Sequence, residues 1–148
     1  MRTAVFLMSC IYGSRQFGNK DQERAAHFIL SALRNRNTTM YGDGKQVRVV
    51  FFVGDMTEAC SAFLESRLKG GLFNIGGSSE NTLSLLELVK RIESMTGRRP
   101  DISFDESRNS DQKVYISDTR HAVKQLGCKP KVGVENGFLR LFNRAASA

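Results

Sequence analysis

Thr38-Thr39-Met40-Tyr41-Gly42-Asp43-Gly44-Lys45-Gln46-Val47-Arg48-Val49-Val50-Phe51-Phe52-Val53-Gly54-Asp55 is the stretch on which the fold turns. Thr38 to Tyr41 reads as a strand, Gly42-Asp43-Gly44 as a turn, and Val47 to Val53 as a second strand. Asp55 then caps a helix that runs to about Leu68. On the N-terminal side, Ala25, Ala26, Phe28, Ile29, Ala32 and Leu33 recur at helical spacing from Asp21 to about Arg36, with acidic Asp21 and Glu23 near the start. Before that lies a loop from Ser9 to Lys20. Earlier still, Thr3 to Met8 is a nearly continuous apolar run of the kind expected of a strand buried on both faces of a parallel sheet.

Towards the C-terminus, Leu72 to Ile75 is a short strand with glycine pairs, Gly70-Gly71 and Gly76-Gly77, read as tight turns at its two ends. Ser84 followed by Glu87 forms a capping box that opens a helix through Leu85, Leu88, Val89 and Ile92, and Gly97 stops it. Strands follow at Ile102-Ser103-Phe104 and Val114-Tyr115-Ile116. Asp118 caps a short helix ending at Gly127, and Glu135 to Ala145 is a last amphipathic helix. No internal repeat interrupts the series, so the fold class is α/β.

At 148 residues the chain is one domain by length, and 41% hydrophobic with 25% charged residues is a globular composition. No apolar run is long enough to span a bilayer, and Met1 to Met8 is too short for a secretory signal, so a cytoplasmic location is expected. The three cysteines, Cys10, Cys60 and Cys128, are far apart and the two histidines stand alone, which argues against a structural metal site or a disulfide framework. The net charge of +7 points to an anionic partner. Its basic residues are scattered, however, with no basic face interleaved with aromatics. They read as a solvated surface rather than a nucleic-acid interface.

The spacing of polar residues yields no catalytic set. There is no G-x-G-x-x-G between a strand and a helix, so the usual dinucleotide-phosphate cradle is missing from these residues. Tyr41 and Lys45 have the Tyr-x-x-x-Lys spacing that puts a phenol and an ammonium on one helical face. The intervening Gly42-Asp43-Gly44 would break a helix, so the match is accidental. Cys10 has no nearby histidine to activate it.

Several strings, taken in order, resemble the extended short-chain dehydrogenase/reductases. They are Met8-Ser9-Cys10-Ile11-Tyr12-Gly13 with Arg15-Gln16-Phe17-Gly18; Tyr41 to Arg48 with Phe52-Val53-Gly54-Asp55; Phe73-Asn74-Ile75-Gly76-Gly77; Ser84 to Leu88; and Arg108 to Asp118 with Leu126-Gly127 and Pro130. Arg15-Gln16-Phe17 together with Asp111-Gln112 is most similar to the CDP-paratose and CDP-tyvelose 2-epimerases within the NAD-dependent epimerase/dehydratase group. The resemblance implies the C-terminal part of that fold: one strand of the parallel sheet plus the small mixed substrate-binding domain, with residues 1–148 a single partial domain. It places the glycine-rich cradle, the catalytic serine or threonine and the tyrosine–lysine pair N-terminal to Met1. The expectation is therefore the sugar-nucleotide-binding half of an NAD-dependent epimerase, inactive alone and with no catalytic residue of its own.

The resemblance also assigns expected roles. Arg48 and Arg108 would grip the diphosphate of a nucleotide-sugar, a CDP-sugar by the nearest likeness, because a guanidinium binds phosphate oxygens with two parallel bonds. Asp111 would accept ribose hydroxyls, and Gln16 would touch the sugar or nucleotide. The Ser9-Cys10-Ile11 backbone would meet the nicotinamide end of NAD, a cofactor this chain is not expected to hold alone. The strand Thr3 to Met8 would expose an unpaired edge, suited to a separately encoded Rossmann half or to a homodimer. Val49 stands where relatives have an aspartate, which is expected to free the orientation of Arg48. A non-catalytic nucleotide- or nucleic-acid-binding module is the alternative reading.

Overall fold

A computed structural model describes residues 1–16, 24–107, 109 and 111–147. Strand β1 is Thr3–Met8 and β2 is Cys10–Tyr12; helix α1 is Arg24–Leu33. Strands β3 (Thr38–Tyr41) and β4 (Val47–Phe52) lead into α2 (Val53–Glu65) and β5 (Gly70–Ile75). A single 3-10 turn, Ser79–Asn81, precedes β6 (Thr82–Ser84) and α3 (Leu85–Thr96). Strands β7 (Ile102–Asp105) and β8 (Val114–Tyr115) are followed by α4 (Arg120–Leu126) and α5 (Val134–Ala146). The expected helix start at Asp21 and Glu23 lies outside the described residues.

The chain organises around β4, whose β-branched and aromatic residues suit a strand covered on both sides. Val49, Val50, Phe51 and Phe52 are all buried. The second half of β4 pairs in parallel with β2; its first half pairs antiparallel with β6 and parallel with β8. Helices α1, α3 and α5 close over this sheet, and Ile29, Ile92, Phe138 and Leu141 are at most 1% exposed in the cluster they form. The turn from β3 to β4 holds Gly42 and Gly44 at φ of 76° and 73°, a region only glycine enters freely. Leu86 N–H donates to the Gly44 carbonyl at 3.1 Å, which ties this turn to the start of α3. That start has the expected capping box: Ser84 Oγ accepts from Glu87 N–H at 3.2 Å, and Glu87 Oε2 accepts from Ser84 N–H at 2.6 Å.

A second layer contains β1 and β5 in parallel register, with Phe6, Phe73 and Ile75 packed on Phe63, Ala59 and Ala122 of α2 and α4. The Arg2 guanidinium donates to the carbonyls of Phe63, Leu64, Ser66 and Leu68 and so satisfies the orphan acceptors at the end of α2. Strand β1 is therefore in a parallel pair, but it is not buried on both faces. Val5, Leu7 and Leu72 are 51%, 48% and 58% exposed on the outer face.

Other expectations change as well: the N-cap of α4 is Thr119 rather than Asp118, and Cys10–Tyr12, expected within a loop, is a strand. Gly70 and Gly71 are the first residues of β5 rather than a turn, and a Cβ on Gly70 would meet the Thr3 carbonyl at 2.8 Å, so glycine allows the strands to close. Asp55 is not a cap, because α2 begins two residues earlier with Phe52 at its N-cap. Its carboxylate is buried and accepts from Val132 N–H at 3.1 Å, pinning the segment that leads into α5. Among the described residues no helix is long and apolar enough to cross a membrane.

Candidate functional site

Side chains alternate along an extended chain, so Gln46, Arg48 and Val50 share one side of β4 and its approach. All three line a cleft, with Cys10 and Ile11 of β2 facing them from one wall and Ser84 and Leu85 from another. The enclosed part of the cleft is small, about 40 Å³, and the rest of the hollow is open to solvent. Its floor grades from an amide through a cation to an apolar residue.

Arg48 is held firmly. Its Nη2 donates to Asp111 Oδ1 at 3.0 Å and its Nη1 to the Val47 carbonyl at 2.9 Å. The two side chains of the ion pair are only 15% and 11% exposed. Val49 therefore does not leave Arg48 free to reorient, because a carboxylate 63 residues away in sequence takes the place of the adjacent one. A guanidinium carries five N–H donors, and the two bonds named leave others to face a ligand.

The remaining expected residues divide. Cys10 is exposed and Ile11 half-buried at the cleft wall, beside Arg48. Ser9 lies just behind them, buried, with its Oγ unpartnered and its N–H donating to the Ile75 carbonyl at 3.2 Å. Gln16 is not brought into the cleft. Its Nε2 donates to the Ile11 carbonyl at 3.2 Å and its Oε1 accepts from Gly13 N–H at 3.0 Å, so the amide staples its own loop. It borders a different hollow, with Arg15, Arg34 and Arg144. Arg108 lies outside the described residues. Sequence reasoning missed Gln46 and Ser84 as cleft residues; counting back by two from Arg48 would have found the first.

Titratable groups shifted by their surroundings lie away from the cleft, or at its edge. Burial pushes the Tyr12 phenol up, Asp55 adds to the effect and Arg140 opposes it. Burial likewise raises the Cys128 thiol. The exposed Asp118 carboxyl is held down at about 2 by hydrogen bonds from the Arg120 side chain and backbone. At the cleft edge, the hydrogen bonds of the capping box lower Glu87.

A dinucleotide needs an open glycine turn between a strand and a helix. The Gly76-Gly77 pair does not offer one. A Cβ on Gly76 would meet Ser9 Oγ at 2.7 Å, and one on Gly77 the Val50 carbonyl at 2.1 Å, so the space is filled by the chain itself. The Gly76-Gly77 turn thus does not offer a cradle for the phosphates of NAD.

Comparison with known proteins gives a consistent result. Residues 1–76 match the NAD dependent epimerase/dehydratase family. CDP-paratose 2-epimerase of Salmonella typhi is 34% identical over 154 aligned positions, covering 99% of this chain and 46% of that protein. The solved structure of MoeE5 in complex with UDP-glucuronic acid and NAD superposes with a TM-score of 0.90 at 25% identity, over 99% of this chain and 48% of the other. UDP-glucuronic acid 4-epimerase from Bacillus cereus, in complex with UDP-glucuronic acid and NAD, gives 0.85 at 25% identity, over 97% and 45%. The chain spans about half the length of each of these proteins.

Proposed function

Because the chain belongs to the NAD dependent epimerase/dehydratase family, we propose that residues 1–148 are one partial domain forming the C-terminal, sugar-nucleotide-binding half of an epimerase that acts on a CDP-sugar. The observation that supports this reading is Arg48, which lines the cleft walled by Cys10 and Ile11 and is held there by its largely buried ion pair with Asp111. The choice of a CDP-sugar is supported by the likeness to CDP-paratose 2-epimerase over nearly the whole chain.

In this reading Arg48 anchors the diphosphate. A paired guanidinium is pre-oriented, so little side-chain freedom is lost when phosphate oxygens replace water on its remaining donors. Arg108 supplies the second cation, and Asp111 keeps one carboxylate oxygen on Arg48 while the other turns to ribose hydroxyls. The Ser9–Ile11 segment meets the nicotinamide end. The geometry of Gln16 argues for a loop-fixing role, so its direct contact with sugar is not part of the proposal. NAD supplies reversible hydride transfer when bound. Its phosphates belong on a dinucleotide-binding half, which docks on β1, whose edge away from β5 is unpaired among the described residues and whose outer face carries exposed Val5 and Leu7.

The test is twofold. Calorimetric titration should show CDP binding to the chain, weakened by Arg48→Ala. The chain with added NAD should not epimerise CDP-tyvelose or CDP-paratose until a dinucleotide-binding half is supplied. Epimerisation by the 148 residues alone would defeat the division of labour; no CDP binding would defeat the site.

A further inference from the structure

We propose that Gln46 is a specificity-determining residue whose Oε1 accepts a hydrogen bond from an O–H or N–H donor on the nucleoside of the bound ligand. The inference rests on the sugar-nucleotide reading of the cleft and adds to it the group that distinguishes a nucleotide from a bare diphosphate. Its starting point is an unmet acceptor. Gln46 is 8% exposed, it lines the cleft, and its Oε1 has no hydrogen-bond partner. Buried acceptors are nearly always satisfied, and one left open at a binding cleft calls for a donor that arrives from outside.

The orientation of the amide is chemically determined. Nε2 donates to the Tyr41 carbonyl at 2.6 Å across the β3–β4 turn. Turning the amide over would set two carbonyl oxygens against each other at that distance, so the free atom is the acceptor and not the donor. The neighbouring side-chain oxygens are engaged: Ser84 Oγ at the cleft wall within the capping box, and Asp111 Oδ1, behind Arg48, on its guanidinium. Gln46 stands two residues from Arg48 on the same side, a step of roughly 7 Å along an extended chain, comparable with the step from a diphosphate to its nucleoside. A diphosphate offers this oxygen only further acceptors. The ribose hydroxyls offer O–H, and a pyrimidine base offers N–H.

The test titrates the full chain and its Gln46→Met variant with CDP, UDP, 2′-deoxy-CDP, 3′-deoxy-CDP and inorganic pyrophosphate. Gln46→Met should bind CDP or UDP about five- to tenfold more weakly and pyrophosphate unchanged, the size expected for one hydrogen bond. A ribose donor predicts that one deoxy analogue binds the unsubstituted chain more weakly by a similar factor, and that Gln46→Met no longer tells it from CDP. A base donor predicts deoxy analogues that bind like CDP, with a Gln46→Met loss that differs between CDP and UDP. Equal nucleotide binding by the two proteins overturns the proposal. So does an equal loss for pyrophosphate, which marks damage to the turn. Pyrophosphate bound as tightly as CDP by the unsubstituted chain overturns it as well. Failure of that chain to bind any of the five would sink the cleft as a nucleotide site, a result separable from the others.

Discussion

Strands β1 and β4 begin from similar material and end in different environments. Thr-Ala-Val-Phe-Leu-Met and Val-Arg-Val-Val-Phe-Phe are both apolar runs of six residues. In β4 the last four are buried, because β2, β6 and β8 flank the strand and helices cover it. In β1 only Ala4 and Phe6 turn inward, while Val5, Leu7 and Met8 remain exposed. An apolar run therefore records how much cover a strand is built to receive, and says nothing about whether the described residues supply it. The lobe around β4 is closed and carries the cleft. The described residues cover the β1–β5 layer on one face.

The sharpest way to break that contrast is Phe138→Ala. Phe138 is fully buried, with its ring 4.8 Å from that of Tyr12 in an edge-on contact. Truncation should cost about 3–5 kcal/mol, read by urea denaturation, and should remove much of the stability of a domain this size. A loss below about 1 kcal/mol would mean that the closed lobe is not the stabilising core.

Next in size is Arg48→Ala. It takes the Arg48 cation from the largely buried Asp111 carboxylate, at an expected cost of about 2–3 kcal/mol. Arg48→Ala combined with Asp111→Ala should recover part of that loss, since the carboxylate that Arg48 balanced is gone. An additive double variant would show that the pair is not coupled and would weaken the case for a pre-oriented anchor.

Ser84→Ala probes the same lobe more gently, with an expected cost of about 1 kcal/mol for the lost cap of α3. Glu87, the other half of the box, has its carboxyl lowered chiefly by the Ser84 backbone N–H. A lowered folded-state value means the ionised form stabilises the fold. That contribution is complete above the ordinary carboxylate range and is lost as pH falls through the lowered value. Thermal melts should accordingly show less acid sensitivity in Glu87→Gln than in the unsubstituted chain, with little change at pH 7, since glutamine can also close the box.

The same contrast shows what could be read from sequence. Helix α3 was legible at both ends because its cap and its glycine stop are local chemistry: Ser84, Glu87, and Gly97 at φ 66°. Strands β2 and β6 were not, because three residues become a strand only by pairing with β4, which a local window cannot see. Asp55 looked like a cap and is instead a buried acceptor for Val132, a contact 77 residues long. In the site, Arg48 was visible through family resemblance. Its partner was named for ribose rather than for Arg48, and Gln46 went unread although alternation alone places it beside Arg48. Long-range pairing and the satisfaction of buried groups were the missing terms.

The smallest expected effect on stability is the most informative about the unfinished face. Leu72→Ser replaces an apolar side chain that is 58% exposed and pairs across the sheet with Val5. Its removal should change the unfolding free energy by no more than about 0.5 kcal/mol, because little surface is taken from water in the folded chain. Solubility should rise, and sedimentation should shift towards monomer, since an apolar face of this kind favours association. Capture of the dinucleotide-binding half proposed above, followed by pull-down, should weaken at the same time. If Leu72→Ser instead destabilised the chain as much as Phe138→Ala does, the outer face of β1 and β5 would have to be covered in solution already. The distinction between a closed lobe and an open one would then fail at its weaker end.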